Sequence, residues 1–177
     1  MKTTFRLRAV LFLVIACMFT SLAHAQKAPK KKKVLSPRDS VSAVIDSATI
    51  TINYGSPRVR GRKIWGKLVP YDTVWRVGAN EATRFTTDKP IMVEGKALPA
   101  GTYGFFAIPD TGKWTIIFNS VPNQWGAFKY DSSKDVLRVT VTPKKASKHN
   151  RLVYKINGKD KDFELIWAHL CVPVMVM

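Results

Sequence analysis

LVYKINGKDKDFELIW, residues 152–167, decides how the rest of the chain is read. Leu152, Tyr154 and Ile156 alternate with Val153 and Lys155, and Phe163, Leu165 and Trp167 alternate with Glu164 and Ile166. A period of two lays one face on a core and turns the other to solvent or a second layer. Between the two runs stands Asn157-Gly158 followed by Lys159-Asp160, the turn chemistry that joins neighbouring strands into a hairpin. The same period recurs outward along the chain. Ile50, Ile52 and Tyr54 alternate with Thr49, Thr51 and Asn53; Trp114, Ile116 and Phe118 with Thr115, Ile117 and Asn119; Leu137, Val139 and Val141 with Arg138 and Thr140.

Turn residues punctuate these runs. Glu94-Gly95 and Pro99-Ala100-Gly101 mark two turns, and Ser56-Pro57 with Gly61 opens a loop. No twelve-residue window carries a 3.6-residue period, so helix is expected only as short turns near residues 64–68 and 131–134. The apolar residues 170–177 read as a terminal strand. The expected fold is all-β: an antiparallel β-sandwich of about nine or ten short strands, with a jelly roll as one arrangement. One domain is expected over residues 36–177, the size at which a chain builds its own core. The longest stretch without strand character, residues 57–80, is a place to look for function.

The N-terminal region reads differently. Lys2, Arg6 and Arg8 precede an apolar run over residues 9–19, too short to span a bilayer, and Ala23-His24-Ala25 fits a small-x-small cleavage site. Residues 1–25 are therefore expected to be an export signal. The alternative is a lipobox, Val14-Ile15-Ala16-Cys17, in which Cys17 would be acylated; Met18, Phe19 and Leu22 continue the apolar run past it and favour the ordinary signal. Both readings send the protein out of the cytoplasm, as a periplasmic or secreted protein or an outer-membrane lipoprotein. No later segment is apolar for long enough to cross a membrane.

The formal charge of +17 is unevenly spread. Lys27, Lys30, Lys31, Lys32, Lys33, Arg38, Arg58, Arg60, Arg62 and Lys63 face only Asp39 and Asp46 over residues 26–63. The excess sits on a tail and one loop. Residues 26–35, QKAPKKKKVL, lack apolar periodicity and are expected to be a disordered linker. Its two readings are a solvated spacer and an anionic-surface contact through Lys30 to Lys33, at about 1 kcal/mol per lysine. No nucleic-acid-binding signature is present, and nucleic acid is not an expected partner.

Most catalytic patterns are missing. The histidines are His24, His149 and His169; no CxxC, HExxH, GxSxG, P-loop or GxGxxG occurs. No metal or cofactor is expected. Beyond the signal the one cysteine is Cys171, read as a small apolar residue between Leu170 and Val172 in preference to a reactive thiol.

Four blocks concentrate aromatic and polar residues in turn-rich sequence: GRKIWGKLVPY (residues 61–71), VWRVGANEAT (74–83), LPAGTYGFF (98–106) and NQWGAFKYD (123–131). The GANEAT, LPAGTY and QWG blocks in this order resemble the secreted bacterial family catalogued as domain of unknown function 2911, over about residue 35 to the C-terminus. The resemblance implies a β-rich exported domain and transfers no catalytic residue.

Read for chemistry, these blocks suggest a binding surface. Aromatic rings cover apolar faces of a ligand while amides and guanidinium satisfy its hydroxyls. Trp65, Trp75, Trp125, Tyr71, Tyr103 and Tyr130 lie near Arg76, Asn80, Asn119, Asn123 and Gln124 in sequence. The expected ligand contacts are Trp75, Arg76, Asn80, Glu81, Gln124 and Trp125, with Trp125 foremost; Trp114 and Trp167 are expected in the core. The leading function is a non-enzymatic module for a glycan or similar polar ligand of the cell envelope. One alternative is a hydrolase pairing Glu81 with Asp72, Asp131 or Asp135, which needs carboxyl groups about 5 to 10 Å apart. Against it stands a structural Arg76–Glu81 ion pair. The other alternative is a structural interaction partner in the envelope.

Overall fold

The computed structural model describes residues 34–177. The expected signal (1–25), Cys17 and Lys30 to Lys33 lie outside the described residues. Ten strands form: β1 (Arg38–Ile45), β2 (Ala48–Gly55), β3 (Thr83–Thr87), β4 (Ile91–Val93), β5 (Lys96–Leu98), β6 (Gly101–Ile108), β7 (Trp114–Asn119), β8 (Asp135–Val141), β9 (Lys144–Asn157) and β10 (Asp162–Met175). Among the described residues the helical content is one 3-10 turn, Ser132–Lys134, whose amide at Ser133 is capped by Asp131.

One layer is a six-stranded antiparallel sheet in the order β1-β2-β3-β6-β7-β8. That order is a meander interrupted by the small β4–β5 hairpin, and it lacks the paired Greek keys of a jelly roll. The other layer is the β9–β10 ribbon. Its far end meets β4 through the Val93–Val176 bridge and reciprocal hydrogen bonds between Met92 and Met177. The resulting architecture is an antiparallel β-sandwich.

The alternation does what its period requires. Ile50, Ile52 and Tyr54 of β2 face inward, as do Trp114, Ile116 and Phe118 of β7. They meet Leu152, Tyr154, Phe163, Leu165 and Trp167 from the opposite layer. Phe85, Phe105, Phe118 and Phe163 interlock at the centre with ring centroids 5.0–6.1 Å apart. Each fully buried side chain of this kind contributes roughly 1.5–3 kcal/mol by leaving water.

β6 and β7 are apolar on both faces because both are covered. Phe106 and Ile117 point away from the main core and form a second cluster with Ala82, capped by Val74, Ile108, Ala127 and Tyr130. The connecting segments 56–82 and 120–134 supply Val74, Ala127 and Tyr130, and β6 itself supplies Ile108.

Glu94 and Gly95 join β4 to β5 with φ of 48° and 75°, the two positive values a two-residue hairpin turn of this hand requires. Asn157 pairs with Asp162 across the β9–β10 connection, and the Asn157 amide donates to the Asp162 carboxylate at 2.7 Å. β9 runs further than its alternation predicts, because KKASKHN is solvent-facing along most of its length and carries no buried face. β10 likewise absorbs the expected separate terminal strand. Register shifts on both sides of Ala168, whose φ is 54°, bend it sharply. It curls so far that the Val176 amide donates to the Lys161 carbonyl at 2.7 Å.

Candidate functional site

Beyond Thr83, the place beside β6 that β3 would occupy is taken by Trp75. Its amide donates to the Ala107 carbonyl at 2.8 Å, and the Ala107 amide returns a bond at 2.9 Å. Residues 76–82 therefore leave the sheet as a closed loop, pinched where the Thr83 amide donates to the Arg76 carbonyl. Two non-glycine residues in it adopt positive φ: Val77 at 52° and Asn80 at 66°. For a β-branched valine this conformation is strained and persists only where the surroundings enforce it. Here the Val77 carbonyl accepts from the buried Tyr154 hydroxyl at 2.8 Å and from the Thr83 hydroxyl at 3.1 Å. Gly55 lets the loop close, since its carbonyl accepts from the Ala79 amide and a side chain there would overlap the Ala79 peptide.

The loop is paired on its outer side with the NQWG segment. The Ala82 amide donates to the Gln124 carbonyl at 2.9 Å and the Gly126 amide to the Asn80 carbonyl at 3.0 Å, so Glu81 and Trp125 stand opposite each other. Gly126 has φ of 66°, and Asn80 is tied back by its amide to the Ser36 carbonyl at 3.1 Å.

The six expected contacts are divided between two hollows on either side of the Asn80–Glu81 peptide. Glu81, Gln124 and Trp125 wall one of about 410 Å³, with Ala82, Arg84, Pro122 and Asn123. Trp125 is 62% exposed there. The Arg84 guanidinium donates to the Asn123 side-chain carbonyl at 3.3 Å; the Gln124 amide donates to the Val121 carbonyl, leaving its own buried carbonyl oxygen without a partner among the described residues. Trp75, Arg76 and Asn80 wall the other, about 270 Å³, together with Trp167. Trp75 is buried in the core and offers this hollow only part of its edge; its ring lies 6.0 Å from that of Trp167 in a stacked pair.

The expected Arg76–Glu81 ion pair does not form. Glu81 lies 3.3 Å from Arg38, which enters from β1, in an exposed pair of the kind worth little in water. Arg76 makes no side-chain hydrogen bond or ion pair with a described residue, and its burial lowers its pKa.

The carboxylates considered as partners for Glu81 are placed elsewhere. Asp135 accepts from Arg138 at 2.7 Å, from the Tyr130 hydroxyl at 2.6 Å and from the buried Asn119 amide at 2.8 Å. Asp131 caps the 3-10 turn, and Asp72 sits in the turn against Pro109. None of the three walls the hollow in which Glu81 stands. The Tyr130 hydroxyl is pushed up to about 12, first by burial and then by Asp135. The Cys171 thiol is half-buried and also pushed up to about 12, by burial and by Glu164, whose carboxylate accepts its proton at 3.3 Å.

A third region joins Trp65 and Tyr71, which the sequence reading placed among the candidate aromatics, to His169, Lys145 and Lys148, which it did not. Trp65, Tyr71 and His169 are shared by two adjoining hollows of about 470 and 560 Å³, edged by Arg62, Lys63, Lys145 and Lys148. The cations come from the loop and from the solvent-facing half of β9, and only the pairing of distant segments assembles them. Trp65 also completes a cluster with Trp75, Trp114 and Trp167, with ring centroids 4.9–6.3 Å apart. Among the described residues no group of three histidine, cysteine or acidic side chains is arranged to hold a metal ion. Nor is any helix among them long and apolar enough to cross a membrane.

Two β-layers, a strained polar loop and open hollows beside it define the class: an antiparallel β-sandwich domain with open hollows on its surface. Within that class the chain belongs to the family described as Protein of unknown function (DUF2911), whose model matches residues 36–176. No curated protein and no solved structure matched the chain.

Proposed function

We propose that this chain is a non-catalytic binding module of the cell envelope that holds a glycan, or a ligand of similar polarity, in the hollow beside Trp125. One observation carries the reading: a tryptophan 62% exposed is fixed on a backbone hydrogen-bonded at both neighbours and stands beside Glu81, Arg84, Asn123 and Gln124. An aromatic wall with a few convergent polar groups is the composition of a ligand site. Its flat face suits the apolar face of a sugar ring, and the surrounding amides and charges suit the hydroxyls. Two-carboxylate hydrolysis is less favoured, since Glu81 is the sole acid in the wall.

The test is a thermal-shift and calorimetric screen of the purified protein against soluble glycans and cell-wall fragments. A ligand present at 100 times its dissociation constant stabilises by about 2.7 kcal/mol. Binding that disappears in Trp125→Ala supports the reading. A panel without binders, or a binder unaffected by Trp125→Ala, refutes it.

A further inference from the structure

The hollow behind Arg76 presents donors and cations without acids. Its walls include Arg62, Arg76, Asn80 and Trp167 and contain no aspartate or glutamate. The Arg76 guanidinium carries a buried Nε with no hydrogen-bond partner among the described residues. Trp167 is 1% exposed, and its indole N–H is also unpartnered. In the same cluster the Trp114 indole donates to the Asp110 carbonyl at 3.0 Å, while the Trp65 indole N–H is unpartnered like that of Trp167 but lies outside this hollow. A buried donor left unsatisfied costs roughly 1–3 kcal/mol, so two on one hollow call for a reason. Water could accept from both but would leave the arginine charge in a desolvated place uncompensated. An oxyanion accepts from both and neutralises the charge, and guanidinium matches its geometry with two parallel bonds.

The strained backbone sharpens the point. Val77 and Asn80, both at positive φ, bracket the turn behind which Arg76 sits, and Asn80 is anchored to Ser36. Arg62 is held at the rim by bonds to the Val59 and Arg58 carbonyls, which fixes a second positive charge beside the opening. No carboxylate among the described residues pairs with Arg76.

We infer that this hollow binds a small oxyanion, the carboxylate, phosphate or sulfate group of a ligand, between the Arg76 guanidinium and the Trp167 indole N–H. None of its lining residues walls the Trp125 hollow. Its volume of about 270 Å³ accommodates an anionic group with room beyond it.

The five tryptophans give five indole N–H resonances, and Trp167→Phe assigns the relevant one. The purified ¹⁵N-labelled protein is titrated with sodium sulfate, phosphate or acetate, against sodium chloride at matched ionic strength. The Trp167 resonance moves saturably with at least one oxyanion while that of Trp114 stays in place. Arg76→Gln weakens the response about tenfold or more, the loss expected for a charge-assisted bond; Trp125→Ala leaves it unchanged. Tighter binding of a sugar phosphate than of inorganic phosphate identifies the anion as one end of a larger ligand, and equal binding identifies the free ion. The inference is overturned if no oxyanion moves the Trp167 resonance beyond the chloride control, a result that stands even where Arg76→Gln does not fold. It is equally overturned by an undiminished response in a folded Arg76→Gln protein.

Discussion

Replacing Gly55 by alanine tests the contact that shapes both hollows. Gly55 ends β2 directly beneath the 76–82 loop, and its carbonyl accepts from the Ala79 amide at 3.2 Å. A Cβ built there overlaps the Ala79 carbonyl oxygen and would lie 2.8 Å from the carbonyl carbon and 3.2 Å from the nitrogen. Carbon–oxygen contacts are comfortable at about 3.3 Å, so the overlapped oxygen sets the displacement and the loop backbone must retreat by more than about 1 Å. Overpacking of a filled site costs about 1–3 kcal/mol, and the stretched Ala79 hydrogen bond adds about 1 kcal/mol. The expected loss is about 2–4 kcal/mol, read as a melting temperature lower by about 10 °C for a domain of this size. Gly112 is the control: a Cβ there meets nothing within 4 Å, so Gly112→Ala should be neutral or slightly stabilising. Guanidinium and thermal unfolding of the two variants measure the difference. A Gly55→Ala protein within about 0.5 kcal/mol of wild type would refute the close approach and the loop geometry built on it.

Further outcomes follow from burial and titration. Trp125→Ala removes a side chain that buries little more than a third of its surface, so it should cost at most about 2 kcal/mol, against about 3–5 kcal/mol for Trp114→Ala. It should also remove most of the iodide-quenchable fluorescence. With Cys17 changed to serine, Cys171, pushed up to about 12, should react with a disulfide reagent at pH 8 about a thousandfold more slowly in the folded than the denatured protein. Tyr130, also at about 12, keeps in the folded state a proton that the unfolded chain loses near pH 10. Its contribution to stability is therefore complete below about pH 10 and is lost as pH rises from there through 12. At pH 11 about one-tenth of Tyr130 should be ionised in the native protein, measured as the tyrosinate absorbance difference from Tyr130→Phe.

The sandwich was legible wherever one face of a strand is wet. β2 and β8 announce themselves by alternation, and Glu94-Gly95 and Asn157-Gly158 by their turns; β7, covered on both faces, keeps the period only at its start. The first half of β9 was not legible, because a ribbon exposed on most sides has no apolar face to betray it. The blocks holding the candidate site were visible as a concentration of aromatics and amides, but their partition was not. Trp75 and Trp125 look alike in sequence, each set in turn-rich polar surroundings. What separates them is non-local: Trp75 fills the position beside Ala107 that β3 leaves vacant, while Trp125 pairs only with Glu81 on the outside. The same holds for charges. Nothing near Glu81 in sequence suggests Arg38, and nothing near Arg76 suggests Trp167, since both associations exist only once distant segments have docked.

The tryptophan cluster has an optical consequence. Indole rings this close couple their electronic transitions, so the four should give circular dichroism unlike that of isolated tryptophans. Trp65 and Trp75 belong to the connecting segment, Trp114 to β7 and Trp167 to β10. The coupled signal therefore exists only while that segment is seated on the end of the sandwich. Its disappearance ahead of the far-ultraviolet signal of the strands would register undocking of the segment that borders both hollows, a built-in reporter requiring no label.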